Sequence, residues 1–162
     1  MTTFYLDTEF NGHGGQLISL ALVSPCGEQF YGVCSVPEWC TYNSWVLEHV
    51  VPKLGPVPSV PLTEFQAELQ RFLIDFDNPE IICDWHKDAV HFLNLLEGPD
   101  YSSSLDYACR ITVLKTPPGQ PVSKNPHNAL ADATALMEWH QKSDINKLYD
   151  PHSSMNGPYD TA

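Results

Sequence analysis

The stretch TFYLDTEF, Thr3–Phe10, decides how the rest of the chain is read. It reads as a buried strand, and a strand alternates faces with a period of two. Phe4, Leu6, Thr8 and Phe10 therefore share one face, and Thr3, Tyr5, Asp7 and Glu9 share the other. Two carboxylates thus lie on the same side of one strand, about 6.8 Å apart along it. Ionised groups are rarely left inside a protein unless they are paired or bound to metal. The strand therefore poses a charge problem that other parts of the chain have to solve.

Outward from this strand, the glycine-rich segment at 11–15 reads as a turn, and QLISLALVS (16–24) and EQFYGVCS (28–35) read as two further strands. Hairpin connections make the three an antiparallel meander. CTYNSWVLEHVVPKL is helical from an N-cap at Asn43 until Pro52. A proline-rich connector, GPVPSVP, follows. LTEFQAELQRFLIDF is a strongly amphipathic helix with Thr63 as its expected N-cap and Phe65, Leu69, Phe72 and Leu73 or Phe76 on its apolar face. EIICDW reads as a short strand and KDAVHFLNLLEG as a helix ending at Gly98 and Pro99. SLDYACRIT reads as another strand, KTPPGQPVSKNP as a flexible loop, and HNALADATALMEWHQK as the last helix. This order is an α/β layout with a mixed sheet. No internal repeat or second domain is evident. Residues 1–143 form the expected domain, and 144–162 are expected to be a loosely ordered tail.

Composition limits the function. The chain has 162 residues, and at 43% hydrophobic it can bury a substantial core as one domain. No apolar run is long enough to span a bilayer, and the N-terminus has neither a basic region nor a cleavage site. Five scattered cysteines without a Cys-x-x-Cys spacing argue against a zinc knuckle and for a reducing, cytoplasmic compartment. Eight Lys+Arg stand against twenty Asp+Glu, a net charge of −12. A broad nucleic-acid-binding surface would be basic. Any such role must rest on a local site with bound cations.

Further acids interrupt apolar patterns. Ala129, Asp132, Leu136 and Trp139 lie on one helix face, and Asp88 continues into Phe92 and Leu95 in the same way. Asp84 follows EIIC at the carboxyl end of a strand. Two carboxylates 4 Å apart repel by about 4 kcal/mol at an effective dielectric near 20. Of the basic residues, only Lys87 adjoins one of these acids in sequence. A hard divalent cation held by oxygen ligands is the economical answer. His127 precedes Asp132 by five positions, about 140° of rotation on a continuous helix. The two converge only if His127 lies in the loop or first turn. Pro126 favours that by biasing Asn125 out of the helical region, with Asn128 as N-cap.

The motifs DTEF, the aspartate in WHKDAVHFL, and HNALAD together resemble the DEDD-type 3′-to-5′ exonucleases of the histidine subgroup. The likeness is nearer still to the small RNase AS type of exoribonuclease. It extends through LISLALVS and SWVLEHVVPKL and covers most of residues 3–140. The resemblance implies a ribonuclease-H-like fold: an antiparallel three-stranded meander extended by parallel strands and flanked by helices. It implies two Mg²⁺ or Mn²⁺ ions on Asp7, Glu9, Asp88 and Asp132, and His127 as the catalytic general base. CDWHKD offers both Asp84 and Asp88. Asp88 is preferred because the family's acid opens the following helix, which leaves Asp84 one step removed from the metal. Thr8 and Phe10 occupy positions that family members use to seat the terminal nucleotide; strand parity favours a backbone contact for Thr8. Lys115 and Lys124, before His127, are candidates for phosphate contact.

The implied reaction releases nucleoside 5′-monophosphates from a single-stranded 3′ end, with RNA favoured over DNA. Related enzymes often pair as homodimers, and no membrane partner is expected. Two rival readings are a metal-dependent endonuclease on the same fold and a non-catalytic nucleic-acid-binding module. The first lacks the family's HNALAD arrangement; the second has no reason to keep four acids and a histidine.

Overall fold

The computed structural model describes residues 2–12, 14–37, 40–97 and 108–143. Strands β1 (Thr3–Phe10), β2 (Leu17–Val23) and β3 (Gln29–Cys34) form the antiparallel meander. Strands β4 (Ser59–Val60), β5 (Glu80–Cys83) and β6 (Arg110–Val113) pair parallel to β3, β1 and β5 respectively. The sheet order is β4-β3-β2-β1-β5-β6. Helices α1 (Ser44–His49), α2 (Leu62–Leu73), α3 (His86–Glu97) and α4 (Ala129–Lys142) flank it. This is the α/β, ribonuclease-H-like arrangement implied by the sequence motifs. No described helix is long and apolar enough to cross a membrane.

The alternation read from Thr3–Phe10 sorts the core. Phe4 and Leu6 join Leu20 and Leu22 of β2 beneath α2 and α3, against Phe65, Leu69, Leu73, Phe92 and Leu95. Tyr5 on the opposite face joins Ala21, Val23 and Ile82 beneath Ala129, Ala133 and Leu136 of α4. All of β2 is buried, as expected of a strand with both faces covered. Two packing details set the helices down. A Cβ on Gly32 would stand 2.6 Å from the Phe65 ring, so the bare backbone of β3 admits that ring. Ala129 and Ala133, one turn apart and fully buried, let α4 settle close to the sheet and carry Asp132 towards β1.

Several expectations need correction. The α2 N-cap is Pro61, without a side-chain cap bond, and Thr63 lies inside the helix. Proline's fixed φ starts the helix there without a polar cap. The α1 helix does not run to Pro52: it ends at His49 and gives way to a one-turn 3-10 helix, Val51–Lys53. The proline-rich connector contains the short strand β4, which satisfies the outer edge of β3. The strand expected over SLDYACRIT forms only at Arg110–Val113, and its 104–107 portion lies outside the described residues. Gly98 and Pro99, the expected stop of α3, and the tail at 144–162 also lie outside them. The N-caps at Asn43 and Asn128 are present: each side chain accepts the amide three residues on, from Val46 at 2.8 Å and Ala131 at 3.0 Å.

Candidate active site

Asp7 and Glu9 face α4 from the end of β1. Opposite them in β2 stand Ala21 and Ser19, small residues that leave room for the two carboxylates. A register shift between Glu9 and Phe10 ends the regular pairing there. Asp84 projects just beyond β5, Asp88 lies in the first turn of α3, and Asp132 in the first turn of α4. Three elements and one loop thus deliver five carboxylates to one rim of the sheet.

Their oxygens converge in two overlapping groups. Asp7, Glu9 and Asp132 each offer an oxygen within 4.8 Å of the others, and so do Asp7, Asp84 and Asp88. Asp7 belongs to both. Asp84 therefore stands beside Asp88 in the same group, not behind it. Oδ2 of Asp7 and Oδ1 of Asp132 are buried without a hydrogen-bond partner. Asp88 is 1% exposed, and its Oδ1 accepts the Thr8 hydroxyl at 2.6 Å. Thr8 points away from Asp7 and Glu9, as parity requires, and its side chain is used to orient Asp88.

The electrostatics match this crowding. Burial, then the neighbouring carboxylates Asp88, Glu9, Asp132 and Asp84, holds the Asp7 carboxyl well above its ordinary range. Burial, Asp132 and Asp88 push Glu9 up to about 8, against a lowering influence from Lys53. Asp88 is raised to about 7 by burial and nearby acids, with the Thr8 hydrogen bond restraining the rise. Asp84 is raised by burial. An open cleft of about 440 Å³ reaches Asp7, Asp84 and Asp132 between α4 and the loop carrying Gln120, Ser123 and Pro126.

His127 lies in the loop, at φ 69°, one residue before the Asn128 cap. Its backbone N–H donates to Asp132 Oδ2 at 2.9 Å. Its ring meets the Trp45 indole edge to face, centroids 4.9 Å apart. The loop placement required for His127 and Asp132 to converge is present, although neither carboxylate group includes the imidazole. Burial, Lys53 and His49 lower the His127 pKa, and Asp132 opposes them. Phe10 lies 4.7 Å from the His91 ring and 5.3 Å from Trp85, centroid to centroid, forming an aromatic shelf next to Asp84 and Asp88. Sequence reasoning missed Lys53, Trp45 and the Thr8–Asp88 bond. Lys53 is a basic residue that does face the acids, 44 positions from Glu9, a distance at which no spacing rule applies. Lys124 lines a small hollow against α4 that adjoins the cleft, sharing Val122 and Ala135 with it, and Lys115 lines neither.

Raised carboxyls have a consequence for stability. Where the native state holds protons that the unfolded chain has released, stability falls as pH rises. Glu9 and Asp88, near 8 and 7, release theirs about three to four pH units above the ordinary carboxylate range. His91 and His127 have lowered values and oppose the trend only below about pH 6.5. Between pH 8 and pH 6.5 in EDTA, the melting temperature should therefore rise as pH falls, by a few degrees for about 1 kcal/mol. Mn²⁺ should stabilise more at pH 8 than at pH 6.5, because cations and protons compete for the same oxygens. Differential scanning fluorimetry checks both; an EDTA melting temperature that falls over this window would contradict the clustering.

No protein-family model matches the chain. Two curated proteins from two strains of Mycobacterium tuberculosis, each named 3′-5′ exoribonuclease, are similar to it at 33% identity over 76 residues. The similar stretch covers 46% of this chain and 43% of each relative, so less than half of the relatives' length is matched.

Proposed function

We propose that the protein is a metal-dependent 3′-5′ exonuclease of the RNase AS type acting on single-stranded RNA. The observation that carries this reading is the pair of overlapping carboxylate groups that share Asp7. The names of the two relatives support RNA as substrate and the 3′ end as the point of attack.

The donor set fits divalent cations. It is all oxygen and strongly anionic, and the unpartnered buried oxygens of Asp7 and Asp132 lack only a positive partner. Asp7, Glu9 and Asp132 would hold one ion, and Asp7 with Asp84 and Asp88 a second; Mg²⁺ and Mn²⁺ are the candidates. Such a pair, when bound, acidifies a water and offsets the charge of a phosphodiester. The remaining work falls to the chain. Thr8 holds Asp88 in place. His127 takes the proton of the attacking water at a ring nitrogen, and its lowered pKa keeps that nitrogen free at neutral pH. Phe10, with Trp85 and His91 around it, offers a face for the terminal base. Because few cationic side chains face the cleft, binding should depend only weakly on salt.

Matched 3′-labelled and 5′-labelled RNA and DNA oligomers, digested with Mg²⁺, Mn²⁺ or EDTA, test the reading. Mononucleotides released from the 3′ end of RNA with either metal, and nothing in EDTA, are expected. Internal fragments would indicate an endonuclease instead, and intact oligomers under both metals a binding module.

A further inference from the structure

Resting on the nuclease reading, we infer that Lys53 is a positioning residue that grips the chain on both sides of His127 and so fixes where the imidazole sits. The need for such a grip is local. His127 has φ 69°, in the left-handed region that residues with a Cβ adopt uncommonly and at some cost. A loop left to itself would relax out of that conformation and carry the ring with it.

The Asn128 amide closes a turn on the Asn125 carbonyl at 3.2 Å, and two further contacts come from one residue. Lys53 Nζ donates to the carbonyl of Pro126 at 2.6 Å, immediately before His127. The Lys53 carbonyl accepts from Asn128 Nδ2 at 2.8 Å, immediately after it. Asn128 is anchored in turn, capping α4 through Oδ1 and donating a second bond to the Tyr31 hydroxyl at 3.2 Å. His127 itself contributes its amide to Asp132. Lys53 thus spans the strained residue by its side chain on one side and its backbone on the other. The 3-10 turn that carries Lys53 follows α1, whose Trp45 meets the His127 ring and stacks on His49 at 4.7 Å. One short segment therefore supplies both a wall for the imidazole and the fastening of its backbone. The Lys53 charge is also felt at Glu9.

The competing role for a lysine here is direct contact with a substrate phosphate, and kinetics separate the two. Lys53→Met keeps the stem and the backbone carbonyl and removes only the ammonium; Lys53→Arg retains a cationic donor. Both are assayed on 3′-labelled RNA with Mn²⁺, alone and combined with His127→Ala, and amide hydrogen exchange is followed at residues 127–128. Lys53→Met should lower kcat about tenfold or more with KM changed by less than about twofold. Lys53→Arg should restore part of the loss, and Lys53→Met should add nothing to His127→Ala, since both act through one imidazole. The His127 amide should exchange about tenfold faster in Lys53→Met. A raised KM with unchanged kcat, an equal loss in the His127→Ala background, or unaltered exchange would each overturn the assignment. If the unsubstituted protein cleaves RNA with neither metal, the nuclease reading fails. The clamp is then judged on exchange alone.

Discussion

Asp7→Asn is expected to reduce cleavage by at least about three orders of magnitude, more than 4 kcal/mol of barrier, while raising the melting temperature of the metal-free protein. The two effects have one cause. Asp7 contributes an oxygen to both carboxylate groups, so neither keeps its full donor set when this side chain loses its charge. Every other acid at the site belongs to one group, and its loss leaves the other group intact. Asp7 is also the carboxyl whose ionisation is opposed by burial and by four neighbouring acids at once. An amide of the same shape removes that repulsion and gives the unpartnered Oδ2 position a donor that can reach a neighbouring carboxylate. A conserved fold with lost activity is therefore expected. Asp132→Asn should behave in the same direction, its remaining side-chain oxygen still able to accept the His127 amide. Single-turnover digestion and thermal melts in EDTA give the two numbers. Cleavage within tenfold of the parent protein would mean that Asp7 does not join the two groups functionally. A melting temperature that drops would mean that the carboxylate is stabilised by something other than a bound cation.

The parts of this site that were legible in the sequence are those governed by local periodicity. Strand parity put Asp7 and Glu9 on one face, and that face is the one α4 covers. Helical spacing put Asp88 in line with Phe92 and Leu95, and all three are buried. Asn128 as a cap followed from the proline before it, and the cap is what lifts His127 out of the helix. The illegible parts arise from contacts between distant segments. No rule of spacing links Thr8 to Asp88, 80 positions apart, or Lys53 to Pro126, 73 apart. The resemblance ranked Asp88 above Asp84, yet both acids stand in the same group. Pairing of β5 with β1 brings Asp84, and the close approach of α3 to β1 brings Asp88, within reach of Asp7. Thr63 failed as a cap because a proline two residues earlier had already started the helix. Small residues were equally silent: Ser19 and Ala21 read as ordinary strand positions, yet they make the space in which two carboxylates fit.

His127→Ala should lower kcat by about two to four orders of magnitude, the range for removal of a general base, and leave the Mn²⁺-induced rise in melting temperature intact. The imidazole lies outside both carboxylate groups, so metal binding has no reason to follow it. Alanine alone would be ambiguous, because φ 69° at this position is unfavourable for alanine and the loop could relax. His127→Asn resolves this. Asparagine tolerates the left-handed region and keeps the backbone amide that Asp132 accepts, but its side-chain amide cannot take up a proton near neutral pH. Equal losses in the two variants would then report the missing base and not a displaced loop. The pH dependence supplies a second reading. Burial, Lys53 and His49 all push the imidazole pKa down, and only Asp132 pulls it up. The acidic limb of kcat/KM in the parent protein should accordingly fall below the ordinary histidine value of about 6.5, and this limb should be absent from both variants. A limb that persists unchanged in His127→Asn would assign the titrating base to another group. The raised carboxyls of Glu9 and Asp88 would then be the first to test, because their protonation also blocks the oxygens that cations need.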